Sequence, residues 1–337
     1  MSEAAMKRSD FLKTLGLSSL PFAMSAAMKR KGRQRLNLPK RLEPGDVVGL
    51  VAPAGIIYDE SEFDRMQQEL ANFGLRSVFG DHVRDRYGYL AGTDQNRAAD
   101  LNTMFDNPDV DGIMAVRGGW GCARILPYLD FQMISDNPKV YCGFSDNTTL
   151  HHALMAYSNL QPFHGPNGSS EWTDLTKRSF ESVVMKREAA VYRSESDVIT
   201  INKGKVSGRL LGGNLSILTT TLGTPYQADF ENSLLVVEDI GEDTYKIDRM
   251  FAHLEQAGIL NQISGLIFGK CTDCSAGTQP TFALLEVLGH YLSRYEIPAV
   301  YNVEIGHEPD NFTIPLGAEA ELDADTGIIT LLQPAVL

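Results

Sequence analysis

Val47-Val-Gly-Leu-Val-Ala52 is an unbroken apolar run that Pro53-Ala-Gly55 brings to a stop. A strand with one wet face alternates apolar and polar residues. A continuous run predicts a strand buried on both faces, as in a parallel sheet covered by helices. The same grammar recurs downstream. Phe63, Met66, Leu70 and Phe73 fall at helical spacing, and Gly74 stops them. Ser77-Val-Phe79 reads as a short strand and Arg97 to Phe105 as a helix. Asp111-Gly-Ile-Met-Ala-Val116 and Val140 to Phe144 read as two more buried strands, and Thr148 to Tyr157 as the next helix. Parallel strands need a crossover of helical length, and such crossovers are right-handed, so few topologies fit this alternation. The first half is expected to be an α/β domain on a parallel sheet.

Residues 166–205 are polar and weakly periodic, which predicts a connector with a helix or two. A second unit begins near Gly208-Arg-Leu-Leu-Gly-Gly-Asn214. Leu234-Leu-Val-Val-Glu238, Gly265-Leu-Ile-Phe268 and Val300 to Ile305 are strand-like, with helical patterns at 244–256 and 281–294 between them. Ala318 to Leu322 and Gly327 to Leu332 predict a closing hairpin. At 337 residues the chain is long enough for two cores. The expected organisation is a leader and basic linker over 1–40, an N-terminal domain over 41–165, the connector, and a β-rich domain over 206–337.

Charge separates the leader from the rest. Residues 1–40 hold nine Lys/Arg against two acids, so a total of -13 leaves -20 for residues 41–337. That acidic body argues against a nucleic-acid partner, since phosphate binding needs a basic face. Lys7-Arg8, the mildly apolar stretch Leu15 to Met24 and the small residues Ser25-Ala-Ala27 read as an export signal, Lys7-Arg-Ser-Asp-Phe-Leu-Lys13 being similar to a twin-arginine signal with Lys for the first Arg. A basic tail on a cytoplasmic protein is the alternative. The apolar stretch is too short for a stable membrane anchor. Of four cysteines, Cys122 and Cys142 are expected to pack as small hydrophobes. Cys271-Thr-Asp-Cys274 lacks a second ligand pair for zinc, leaving a plain loop, which is favoured, or a disulfide.

Four polar features fall at the C-terminal ends of expected strands, the edge where loops of a parallel sheet converge on ligands. Ser145, in Lys139-Val-Tyr-Cys-Gly-Phe-Ser-Asp-Asn-Thr148, sits at a sharp strand-to-helix turn. Such a turn exposes a hydroxyl and aims backbone N–H groups at a developing anion, although an N-cap serine fits the same position. Arg117-Gly-Gly-Trp-Gly121 can bring its backbone close to a ligand and supply an oxyanion hole, or can simply be a tight turn. Glu238 ends an apolar strand, where a carboxylate needs a partner. His307 follows Val303-Glu-Ile-Gly306 and can take the serine proton if a carboxylate orients it. His164 also follows a short apolar segment and is a pocket candidate. His151 and His152 lie too far along the helix after Ser145 and are expected in the core or on the surface.

Taken in order, Arg117-Gly-Gly-Trp-Gly121, Gly143-Phe-Ser-Asp-Asn-Thr148, Phe163-His-Gly-Pro166, Gly208-Arg-Leu-Leu-Gly-Gly-Asn214, Glu238-Asp-Ile-Gly-Glu242, Tyr245-Lys-Ile-Asp-Arg249 and Gly306-His307 resemble the LD-carboxypeptidase (muramoyltetrapeptide carboxypeptidase) family, which includes microcin C self-immunity hydrolases. The resemblance spans about residues 44–335. It implies an α/β fold whose N-terminal domain is similar to class I glutamine amidotransferases, with a smaller C-terminal β-rich domain. It further implies Ser145 as nucleophile, Glu238 as acid, His307 as base, backbone N–H of Gly119 and Asp146 as oxyanion hole, no metal or organic cofactor, and a homodimer. Trp120 and Asn147 depart from the family's usual residues, so they join Arg117, His164 and Asn214 as pocket candidates. The implied reaction removes D-alanine from a murein tetrapeptide at an L,D bond. The alternatives are a microcin C-type amide hydrolase and a non-catalytic muropeptide-binding protein.

Overall fold

A computed structural model describes residues 35–275 and 280–337; the export-signal reading of the leader lies outside them. The first apolar run forms β1 (Val47–Val51), followed by helix α1 (Ser61–Asn72), whose Phe63, Met66 and Leu70 are buried as their spacing predicts. Then come β2 (Arg76–Phe79), α2 (Asp94–Asp106), β3 (Gly112–Ala115), the short helices α3 (Cys122–Ile125) and α4 (Phe131–Asp136), β4 (Val140–Gly143), α5 (Thr148–Ala153) and β5 (Phe163–His164). Strands β1 to β5 are all parallel, in the order β5-β4-β3-β1-β2. β1, β3 and β4 are central and almost wholly buried, which is why their sequences carry no polar alternation.

The segment read as a connector holds helix α6 (Asp174–Phe180) and two strands, β6 (Val191–Tyr192) and β7 (Ile199–Asn202). Both strands are short, partly exposed edges of a second sheet, so no apolar pattern marks them. That sheet's core is β8 (Lys205–Asn214), β9 (Ser233–Ile240) and β10 (Gly265–Thr272), parallel to one another and to β11 (Ala299–Tyr301). Helices α7 (Leu215–Thr221), α8 (Thr244–Gln256) and α9 (Leu284–Leu292) intervene. The expected strand to Ile305 stops at Tyr301, where Asn302 turns at a φ of 75°. The chain then returns to the first sheet as β12 (Ile314–Pro315), antiparallel to β5, before β13 (Glu319–Asp323) and β14 (Ile328–Leu331) form the hairpin. Among the described residues the sheets have six and eight strands, in the orders β12-β5-β4-β3-β1-β2 and β6-β14-β13-β8-β9-β10-β11-β7. The chain is thus α/β, with a parallel-sheet first half and a mixed, β-rich second half.

Cys122 and Cys142 are buried, while Cys271 and Cys274 form a disulfide. The expectation of a plain loop is therefore replaced: a turn at Asp273, φ 52°, brings the two Cα atoms to 5.3 Å, within bridging range. Among the described residues no helix is long and apolar enough to cross a membrane.

Candidate active site

The loops after β1, β3, β4 and β5 meet at one edge of the first sheet, around a cavity of about 340 Å³. Ser145 lines it at the end of β4 with a φ of 64°, in the left-handed region. For a residue with a Cβ that conformation costs about 1 kcal/mol or more, and turns of this kind store it at reactive groups. Gly118 packs against the serine: a Cβ there would lie 2.7 Å from Ser145 Cβ and 2.9 Å from its Oγ. Gly118→Ala should therefore displace the Ser145 turn itself, since a Cβ cannot rotate out of the way, lowering kcat/KM by about 10²-fold or more while the rest of the fold is kept. Steady-state kinetics with circular dichroism tests this, and wild-type turnover by the variant would refute it.

His307 lines the same cavity from the segment between β11 and β12. Its Nδ1 lies 2.7 Å from Glu238 Oε2. Glu238 is fully buried on β9, and its Oε1 has no partner among the described residues. Gly306, at φ 131°, lets the backbone run over this carboxylate, since a Cβ would come within 2.9 Å of Oε2. The histidine is anchored from both sides. Asn311 accepts from the Gly306 N–H at 3.0 Å, Ile305 accepts from the Lys270 N–H at 2.8 Å, and Thr176 Oγ1 accepts from the Asn311 N–H at 2.9 Å. No hydrogen bond joins Ser145 to His307 in the described structure, although both face the cavity; such bonds commonly tighten only around substrate.

Burial works against a charge on His307. The Glu238 carboxylate outweighs it, with Asp239 and Glu308 assisting, and His307 is held above the ordinary imidazole value. A base must be neutral to accept a proton, so kcat/KM should climb with pH through a midpoint above about 6.5. Stability has the opposite sign: the ion pair contributes fully below the unfolded-state pKa and is lost as pH rises through the raised folded-state value. A kcat/KM profile with its midpoint at or below the free imidazole value would contradict this assignment.

The Arg117–Gly121 turn is bound to the serine turn by Asp146, whose buried carboxylate accepts from the Cys122 N–H at 2.8 Å. Burial raises the Asp146 pKa, opposed by that bond. Arg97, fully buried on α2, was not singled out from the sequence; its guanidinium donates to Gly121 O at 3.0 Å and to Pro53 O, and pairs with Asp94 at 2.6 Å. It ties together the loops after β1 and β3. Gly119 lines the cavity at φ 116°.

Of the pocket candidates, only Arg117 lines the cavity. Trp120 is 62% exposed and packs edge-on against Tyr89 instead. Asn147 points inward, accepting from Tyr141 Oη at 2.6 Å and donating to Phe144 O at 2.9 Å, because the second residue after the serine turns back over the sheet. Asn214 caps α7 and donates to Asp239 at 3.1 Å. His164 is fully buried behind Phe144, and burial pushes its pKa down to about 4. His151 is likewise buried, and burial pushes its pKa well down, while His152 Nε2 contacts Gly212 O at 3.0 Å. Trp172 is a core residue against Phe73 and Phe180. Missed from the sequence were Tyr58, Glu62, Asn167, Ser169 and Ser170, which also line the wall. Pro53-Ala-Gly55 at the end of a buried strand was the available signal for the first two.

Two family models match the chain: the LD-carboxypeptidase N-terminal domain over residues 48–165 and the LD-carboxypeptidase C-terminal domain over 207–322. The chain is 36% identical over 300 residues to a probable murein peptide carboxypeptidase of Bacillus subtilis, covering 87% of this chain and 94% of that protein. A structure of the microcin C7 self-immunity protein MccF in complex with glutamyl sulfamoyl guanosine is 26% identical and matches at a TM-score of 0.83, over 89% of this chain and 99% of that one. A muramoyltetrapeptide carboxypeptidase from Oxalobacter formigenes is 28% identical and matches at 0.74, over 85% and 97%. With both domain models in sequence order on one fold, the chain belongs to the LD-carboxypeptidase family, peptidase family S66.

Proposed function

We propose that the protein is a serine carboxypeptidase that removes the terminal D-alanine from murein tetrapeptides by hydrolysing an L,D amide bond. The observation that carries this is a strained serine sharing a cavity with a histidine that a buried glutamate orients at 2.7 Å. In this reading Ser145 Oγ attacks the carbonyl before the terminal residue as His307 takes its proton. Backbone N–H groups of Gly119 and Asp146 receive the oxyanion, and Glu238 steadies the imidazolium. His307 then returns the proton to the departing amine, and water releases the acyl enzyme. Incubation with a defined murein tetrapeptide should yield tripeptide and free D-alanine by mass spectrometry. An unchanged tetrapeptide overturns the reading.

The likeness to MccF favours a second activity, cleavage of an aminoacyl-sulfamoyl nucleoside at the same serine. Side-by-side kcat/KM values for such a compound and a tetrapeptide separate the two. The protein acts outside the cytoplasm: the basic, then mildly apolar start of the sequence and the Cys271–Cys274 disulfide both fit an oxidising, exported setting. Recovery of the protein in the cytoplasmic fraction of its host overturns that assignment. We infer from the family resemblance alone that it works as a homodimer; a monomer by sedimentation equilibrium overturns this.

A further inference from the structure

Arg117 places a guanidinium in the cavity wall with no ion-pair partner among the described residues. Arg117 Nη1 donates to Ile56 O at 2.8 Å, and the guanidinium makes no other hydrogen bond or ion pair among the described residues. The other charged groups of the wall are spoken for. Glu62 pairs with Arg65, which also donates to Ser169 O and Ser170 O at 2.8 and 2.9 Å, and His307 pairs with Glu238. The uncompensated charge beside Ser145 is therefore positive, in a protein whose net charge is -13. Two glycines flank the guanidinium: a Cβ at Gly55 would lie 3.4 Å from Arg117 Nε, and one at Gly119 4.0 Å from it, both ordinary contact distances. A planar guanidinium held at one nitrogen and free at the others matches a carboxylate in a two-bond fork.

We infer that Arg117 receives the terminal carboxylate of the substrate, one residue beyond the bond that Ser145 attacks. The inference rests on the peptidase reading and deepens it. The cavity then selects a chain that ends in a free acid directly after the scissile amide, and rejects C-terminal amides and longer peptides. Selection comes from leaving Arg117 without its partner, a larger penalty than the loss of one neutral contact.

Binding and turnover are read separately. A Ser145→Ala variant, with and without Arg117→Gln or Arg117→Lys, is titrated calorimetrically with a murein tetrapeptide ending in D-alanine and with the same peptide ending in D-alanine amide. The acid should bind about 10- to 100-fold more tightly than the amide. Arg117→Gln should erase that gap by weakening the acid alone, and Arg117→Lys should restore part of it. Equal binding of acid and amide to Ser145→Ala, or a gap that survives Arg117→Gln in a folded variant, overturns the inference. Binding of neither peptide overturns it together with the peptidase reading. An Arg117-dependent gap in a protein whose wild type cleaves neither peptide upholds the carboxylate site and sinks the peptidase reading alone.

Discussion

Replacing Ser145 by alanine is expected to lower kcat/KM on a murein tetrapeptide by about 10⁴- to 10⁶-fold, because the members of a nucleophile–base–acid set act as a unit. The folded state should be little affected. Ser145 Oγ makes no hydrogen bond in the described structure, and both side chains carry the same Cβ at φ 64°. Glycine at 145 distinguishes chemistry from strain. It should be as inactive as alanine yet raise the unfolding free energy by about 1 kcal/mol, since it relieves the left-handed penalty. Urea unfolding measures the second effect and product release the first. An active Ser145→Ala would remove the serine from the mechanism, and a destabilised Ser145→Gly would show that the turn is unstrained.

The second large effect is expected at Glu238. Glu238→Gln keeps the shape of a fully buried side chain but removes the negative charge beside His307 Nδ1 and turns one of the two acceptor oxygens into a donor. An amide nitrogen facing Nδ1 favours the wrong tautomer, and the imidazolium formed during attack loses its carboxylate. A fall of about 10³- to 10⁴-fold in kcat follows. The pH profile carries a second signature. Without the charge that offsets burial, the kcat/KM midpoint should move to lower pH than in the wild type. Stability at neutral pH should hardly change, because replacing a buried carboxylate by a neutral isostere also removes its desolvation cost. A variant that keeps the wild-type midpoint would mean that Glu238 does not set the state of His307.

How much could be read in advance followed from how each residue is recruited. β1, β3 and β4 announced themselves because strands buried on both faces must be apolar throughout, and their C-terminal ends placed Ser145 and Arg117 at one edge. Glu238 stood out because a carboxylate in such a strand needs a partner, and His307 is that partner. The pocket wall was hard to see. Tyr58 and Ser169 come from loops with no periodic signature, and proximity alone recruits them. Asn147 misled for the opposite reason: it lies two residues from Ser145 in sequence, but its side chain is spent inside on Tyr141 and Phe144. The edge strands β6 and β7 are too short and too wet to leave a pattern.

Residues 302–313 leave the second sheet after β11, carry His307 over Glu238, and end in β12 on the first sheet beside β5. Ser145 and His307 thus belong to different halves of the sequence, and His307 rides on a stretch of the second half that ends on the first half's sheet. A lineage can lengthen loops, trim edges or reshape the outer wall of either half and remain an enzyme. It cannot trade one half for a foreign one without also inheriting that crossing. The two matched domains are separable as text, but the pair of side chains facing the cavity exists only where both are present.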